Sequence, residues 1–111
     1  MEIQITGRHV ALEPELRAHV ERRLQYAIGR FARRIAQVSV RLADLNGPRG
    51  GVDQSCRITI HFRPRGEIII EECSADPESA VSLAAGRAGH AVRREVERRR
   101  TVRARRAVRA A

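Results

Sequence analysis

Residues 56–77, CRITIHFRPRGEIIIEECSADP, decide the fold of this chain. The first seven residues alternate between apolar and polar side chains, which is the period of a strand with one buried face. Residues 63–66 supply a tight turn, and a second strand is predicted over residues 67–73. Asp76 is a good helix N-cap and Pro77 a good first helical residue, so a helix is predicted to follow this hairpin.

The residues before the hairpin predict two further strands and another helix. Residues 2–6 alternate in the same way and predict the first strand. From Pro14, apolar residues recur every three or four positions as far as Ile35, which predicts an amphipathic helix of about twenty residues. Residues 38–42 alternate again, and residues 46–51 (NGPRGG) are dense in turn-forming residues, so a strand and a loop are predicted there.

The predicted order of elements is β-α-β-β-β-α, which is an α+β fold of two layers. Strands one and two need a crossover, which the first helix supplies, and the remaining strands form a meander. Both helices are expected to cover one face of a four-stranded sheet. The other face is predicted to be open and polar, with Gln4, Thr6, Ser39, Arg41, Arg57, Thr59 and His61.

Composition excludes membrane-spanning and secreted proteins. No segment approaches the roughly twenty apolar residues needed to cross a bilayer, and the chain starts directly with polar-alternating residues. Two cysteines, Cys56 and Cys73, are too few for a disulfide framework, so reduced thiols in the cytoplasm are expected. With a tight turn between their strands the two thiols lie opposite each other, whereas one extra residue places them on different faces.

The residue patterns of enzymes and metal sites are missing from the sequence. None of the five serines lies in a GxSxG elbow, and the Gly-rich residues 46–51 lack the Walker lysine. The four histidines are not spaced with cysteines or carboxylates as metal ligands are. We therefore expect no catalysis, no cofactor, no metal and no small-molecule substrate.

Positive charge is concentrated at the C-terminal end of the chain. There are 22 basic and 13 acidic residues, net +9, and every basic residue is Arg, a bias that a GC-rich genome explains by itself. Residues 93–111 hold nine Arg and two acids, whereas residues 1–92 hold 13 Arg and 11 acids. Such a one-sided excess is typical of a protein that meets a polyanion. We divide the chain into a domain over residues 1–100 and an Arg-rich tail over 101–111, either helical or disordered.

The outward faces of the two helices form the candidate nucleic-acid surface. On the second helix the basic residues form a line about 16 Å long opposite the apolar stripe, which suits successive phosphates of a backbone. A solvated charged face is the alternative interpretation. Gly86 and Gly89 in this helix predict either close approach of another backbone or simple tolerance. The residues predicted to bind RNA are Arg22, Arg23, Arg30, Arg33, Arg87, His90, Arg94 and Arg98.

A set of short segments in a fixed order carries a resemblance to a known family. The segments are Ile5-Thr6-Gly7, Leu16-Arg17 with Val20, Phe31–Ile35 with Val38, the loop 42–53 with Cys56-Arg57, and Asp76 with Ala80-Val81. Together they cover residues 1 to about 100. Their order and spacing resemble the ribosome hibernation promoting factors, also called ribosome-associated inhibitors or sigma-54 modulation proteins.

The resemblance implies a fold similar to double-stranded RNA-binding domains and a translation inhibitor of the stressed or stationary-phase cell. Family members bind the rRNA of the small ribosomal subunit near the decoding centre, across the mRNA and tRNA sites. Arg23, Arg87 and Arg94 match family positions that touch rRNA. His90 stands where Arg or Lys is usual, which weakens the site because His is mostly uncharged at neutral pH.

Two further expectations accompany this resemblance. Long members of the family add a C-terminal dimerisation domain, and we expect no dedicated dimerisation domain in this chain. The alternative function is a general RNA- or DNA-binding module that acts off the ribosome, which the Arg-rich tail alone would support. Modulation of transcription, which one family name suggests, finds no base-reading feature in the sequence.

Overall fold

The computed structural model describes residues 1–46 and 53–110, so most of the loop predicted at 46–51 lies outside the described residues. The order β-α-β-β-β-α is confirmed. The elements are β1 (Glu2–Arg8), α1 (Pro14–Ile28), a 3₁₀ helix (Gly29–Arg34), β2 (Ile35–Asp44), β3 (Gln54–Phe62), β4 (Glu67–Ser74) and α2 (Pro77–Ala110).

The four strands form one sheet in the order β1-β2-β3-β4. β1 and β2 run parallel, joined by the α1 crossover, and the other pairs are antiparallel. One row of aliphatic side chains crosses all four strands on the covered face, because Val40 pairs with Ile5 and Ile58, and Ile58 pairs with Ile70. The predicted crossover and meander are therefore both present.

The core lies between this face of the sheet and the two helices. α1 buries Leu16, Val20, Leu24 and Ile28. α2 buries Ala80, Val81, Ala84, Ala85, Ala88, Val92 and Val96. The small alanine side chains allow α2 to lie close to both the sheet and α1. The opposite face of the sheet is open and polar, as predicted, with Arg57 ion-paired to Glu71 at 3.6 Å.

The first helix is shorter than the sequence predicts. The α-helix ends at Ile28, residues 29–34 form a 3₁₀ helix, and Ile35 opens β2 opposite Phe62. The prediction of a helix up to Ile35 is wrong because side chains at i and i+3 also share a side in a 3₁₀ helix. The spacing from Ile28 to Phe31 therefore fits both kinds of helix, and the burial of Ile35 in the sheet decides between them.

The pairing of β3 with β4 separates the two cysteines. Cys56 pairs with Glu72, whereas Cys73 pairs with Ser55, so the thiols point to opposite faces of the sheet. Both are free: Cys56 is buried in the core and Cys73 is exposed. Burial raises the pKa of the Cys56 thiol to about 12. Of the two arrangements that the sequence leaves open, the structure has the one on different faces.

α2 begins at a capped end and continues well past the core. Asp76 Oδ1 accepts a 2.8 Å hydrogen bond from the Ser79 backbone N–H, which confirms the predicted N-cap, and this bond lowers the pKa of Asp76. The tail is helical, because α2 is continuous as far as Ala110. Residues 101–110, here called the arm, are exposed except for the half-buried Val102. The arm extends the molecule to 62 Å in its longest dimension.

Candidate nucleic-acid interface

α1 and α2 lie close together at Gly89. A Cβ atom built there would lie 3.2 Å from the Ala27 carbonyl oxygen and 3.3 Å from the Ala27 Cβ atom. A Cβ atom at Gly86 would have nothing within 4 Å. Close approach therefore explains Gly89, whereas Gly86 only leaves space beside the contact.

An open groove of about 530 Å³ runs along this contact. We call it the interhelical groove. Its basic and aromatic lining residues are Arg23, Tyr26, Arg30, His90 and Arg93. A second hollow of about 500 Å³ shares Arg30 and Arg93 with it and adds Phe31, Glu97 and Arg100. The structure thus places guanidinium groups from α1, the 3₁₀ helix and α2 along two adjoining hollows.

The arginines of the interhelical groove have no carboxylate partner among the described residues. Arg30 lies over the Phe31 ring, with its Cζ atom 4.7 Å from the ring centroid. Arg93 Nη2 donates to His90 Nδ1 at 3.2 Å. Arg23 is half-buried, and its Nε atom has no hydrogen-bond acceptor within the described part of the chain. Aromatic and neutral contacts leave the positive charge of these groups uncompensated.

The contact between Arg93 and His90 defines the state of the imidazole. A guanidinium only donates, so His90 Nδ1 acts as the acceptor and the proton of the ring lies on Nε2. In this arrangement His90 is neutral. It contributes a donor to the groove but no cation.

The line of four basic residues predicted on α2 is divided in the structure. Arg87 Nη1 lies 2.7 Å from Glu72 Oε1 and also donates to the Glu71 carbonyl at 3.2 Å. Arg98 lies 2.6 Å from Glu95, and this carboxylate also accepts a bond from Arg99. Hydrogen bonds from Arg98 and Arg99 lower the pKa of Glu95 to about 2. Two members of the line are therefore partly neutralised by carboxylates.

The remaining predicted residues lie outside the interhelical groove. Arg22 and Arg33 are exposed on the surface of α1 and the 3₁₀ helix, and Arg94 is exposed on α2. No hydrogen bond or ion pair involves these three side chains in the part of the chain that the structure describes. Of the eight predicted residues, the groove brings together three: Arg23, Arg30 and His90.

Arg93 is the groove residue that the sequence prediction missed. The prediction took the residues directly opposite the apolar stripe of α2, whereas the groove follows the border of that stripe, where α1 packs. Arg93 lies only about 60° around the helix from His90. A helical-wheel projection that marked the border of the apolar stripe would therefore include Arg93. However, a helical-wheel projection of α2 alone does not show which edge of its apolar stripe packs against α1.

The described residues contain neither a metal-binding cluster nor a membrane-spanning helix. No group of three or more His, Cys, Asp or Glu residues there is arranged to hold a metal ion. None of the helices that the structure describes has the length and apolarity to cross a membrane.

Comparison with solved structures supports the fold. The chain is similar to a ribosomal subunit interface protein from Coxiella burnetii, with a TM-score of 0.73 and 18% identity over 87% of this chain and 99% of that one. It is also similar to the N-terminal domain of Protein Y from Thermus thermophilus, with a TM-score of 0.66 and 23% identity over 85% of this chain and 98% of that one. No curated protein sequence matches the chain.

The family is shown by a sequence model that covers most of the chain. The model described as sigma 54 modulation protein / S30EA ribosomal protein matches residues 3–100. This span includes all of β1 except Glu2, the other three strands, α1 and all of α2 except the arm. The chain belongs to this family of ribosome-associated, non-enzymatic proteins, as the sequence resemblance predicts.

Proposed function

We propose that this protein is a translation inhibitor that binds the small ribosomal subunit near the decoding centre and blocks the mRNA and tRNA sites. It would act in the cytoplasm, on the idle ribosomes of stressed or stationary-phase cells. The proposal combines the family membership with the chemistry of the interhelical groove. rRNA is the partner, and no chemical step is required, because occupation of the sites is itself inhibitory.

The observation that carries the proposal is the uncompensated charge of the interhelical groove. Arg23 of α1, Arg30 of the 3₁₀ helix and Arg93 of α2 converge on this groove, and its described lining residues include no carboxylate. Like charges gathered in this way repel each other, and a phosphate backbone removes that repulsion while it releases its own counterions. A planar guanidinium also matches the geometry of phosphate oxygens.

Tyr26 adds a contact that a purely electrostatic surface lacks. Its side chain is 88% exposed and lies at the rim of the groove beside Arg23 and Arg30. An exposed aromatic ring next to phosphate-binding groups is able to stack an unpaired base, as single-stranded RNA sites commonly do. Unpaired bases are expected where mRNA and tRNA meet rRNA, so Tyr26 favours a ribosomal site over a uniform duplex.

Co-sedimentation with purified small ribosomal subunits, in an excess of unrelated double-stranded RNA, tests the proposal. The wild-type protein should stay with the subunits, whereas Arg30→Glu with Arg93→Glu should remain in the supernatant. A matched control changes Arg8 and Arg41 to Glu; both are exposed, and neither lines the groove. The control should sediment like the wild type.

Two outcomes would count against the proposal, and each has a distinct meaning. Loss of the wild-type protein to the competitor RNA would favour a general nucleic-acid-binding module that acts off the ribosome. Equal loss of both variants would show that only net charge matters. The inhibitory mechanism has its own measurement: the wild-type protein should lower binding of labelled tRNA to mRNA-programmed small subunits, and the groove variant should not.

A further inference from the structure

A second arginine-rich cleft lies where the β3–β4 turn meets the end of α2. Its volume is about 320 Å³, and five of its seven lining residues are arginines with no acidic residue among them. The turn contributes Arg65, and the arm contributes Arg103 and Arg106. We call it the turn cleft. It shares no lining residue with the interhelical groove.

Arg99 fixes the shape of the turn cleft. Its Nη2 atom donates to the Arg65 carbonyl at 2.8 Å and its Nη1 atom to the Arg63 carbonyl at 3.3 Å. Its guanidinium also lies over the Phe62 ring, 4.7 Å from the centroid, and its Nε atom donates to Glu95 at 2.9 Å. The turn is therefore fastened to α2, so the arginines on both sides are held at a fixed separation.

The charge at the turn cleft exceeds what its one neighbouring carboxylate neutralises. Glu95 is shared by Arg98 and Arg99, so one negative charge faces two guanidinium groups. Arg65, Arg103 and Arg106 are exposed and take part in no side-chain hydrogen bond or ion pair in the described ranges. Arg99, Arg103 and Arg106 follow one another at steps of four and three along one side of the helix. These positions form a cationic edge about 10 Å long.

We propose that the turn cleft is a second binding site for the phosphate backbone of RNA, separate from the interhelical groove. The centres of the two sites lie about 20 Å apart along the α2 axis, counted from residues 85–93 to residues 98–106 at about 1.5 Å per residue. The inference rests on the proposed function in that RNA is the polyanion. The protein then holds its partner at two places, and the arm acts as part of the interface.

The composition of the arm favours RNA over an anionic lipid surface. A helix that lies on a membrane presents large apolar side chains beside its cations. On the arm, Val108 is the single large apolar residue among those described as exposed. Charged side chains also outnumber the two apolar residues that line the cleft, Pro64 and Val102, which does not suit a small apolar ligand.

The test compares two pairs of arginines on the same arm. Arg103→Gln with Arg106→Gln removes two charges from the cleft, and Arg105→Gln with Arg109→Gln removes two exposed charges that do not line it. Binding of fluorescently labelled protein to small subunits is measured over a salt titration. The cleft pair should weaken binding about ten- to fiftyfold near 0.1 M salt and flatten the log–log slope by about 1.5. The control pair should change the affinity less than threefold, and circular dichroism should show equal helix content in both.

The other possible results distinguish a failure of the turn cleft from a failure of the proposed function. Equal losses in both pairs would show that the arm contributes only net charge and would remove the turn cleft as a site. If the cleft pair binds with wild-type affinity, the turn cleft is not a binding site. The interhelical groove and the proposed function are not affected by that result. If the wild-type protein fails to bind subunits, the proposed function fails. The two pairs are then compared for binding to a short RNA duplex. Equal affinities there would show that the turn cleft is not an RNA-binding site, whatever happens with the ribosome.

Discussion

The α1-facing and β4-facing sides of α2 differ in what their arginines contact. On the side that faces α1, Arg93 donates to His90, and Arg30 of the 3₁₀ helix lies over the Phe31 ring. On the side that faces β4, Arg87 is bound to Glu72 and Arg98 to Glu95. The difference shows that the number of positive charges on a helix is a poor guide to the number available for a ligand.

The largest effect is expected when equal charge is removed from each side. Arg30→Gln with Arg93→Gln should weaken binding to small subunits about ten- to fiftyfold near 0.1 M salt and flatten the salt slope by about 1.5. Arg93→Gln alone should weaken binding about five- to eightfold, whereas Arg87→Gln should change it less than twofold, because Glu72 already opposes that charge. Filter binding over a salt series measures both. Similar losses of affinity on the two sides would show that ion pairing does not decide which arginines bind RNA. The uniform row of basic residues predicted on α2 from sequence would then describe the interface.

The two glycines on the α1 side provide the next test, now of stability. Gly86→Ala should stabilise the fold by about 1 kcal/mol, since the new methyl group meets open space and alanine favours the helix. Gly89→Val should destabilise the fold by about 2 kcal/mol, because its Cβ atom alone would crowd the backbone of Ala27. Urea denaturation gives both values. Equal behaviour of the two positions would show that the helices are free to separate, and the interhelical groove would then have no fixed width.

The β4-facing side is expected to contribute a pH-dependent part of the stability through Glu95. Its pKa is lowered from 4.5 to about 2 in the folded protein, so in that interval the unfolded chain binds more protons. Stability from this group is therefore complete above about pH 5 and is lost as the pH falls towards 2. Glu95→Gln should lower the melting temperature at pH 7, and its difference from the wild type should shrink as the pH falls through this window.

A control for that measurement is Glu97→Gln, which changes an exposed carboxylate on the same helix that forms no ion pair within the described ranges. The melting temperature of this variant should follow the wild type at every pH. A Glu95→Gln protein that melts like the wild type at pH 7 would contradict a stabilising role for the bonds from Arg98 and Arg99.

Most of the fold follows from short-range patterns, whereas the site depends on how the elements pack. Alternation and capping residues predict each strand and both helix starts, because those signals lie within a few residues of one another. The end of α1 could not be predicted, because the burial of Ile35 depends on its partner Phe62 in a distant strand. The pairing of Arg87 with Glu72 and the place of Arg93 beside α1 likewise depend on neighbours that the helix sequence does not contain.

His90 supports the smallest prediction and the one most specific to this chain. Its Nδ1 atom accepts from Arg93, so the residue both lacks a charge and occupies part of a neighbouring guanidinium. His90→Arg should add one cation and release Arg93 to the solvent. Affinity for small subunits should then rise about three- to sixfold near 0.1 M salt, and the salt slope should steepen by about 0.7 to 0.9.

His61→Arg is the matched control, because it makes the same change on the open face of the sheet, where His61 lies 3.3 Å from Glu67. A gain at His90 with none at His61 would identify the α1-facing side of α2 as the contact with RNA. An equal gain at both positions would show that RNA responds to the net charge of the protein rather than to this groove.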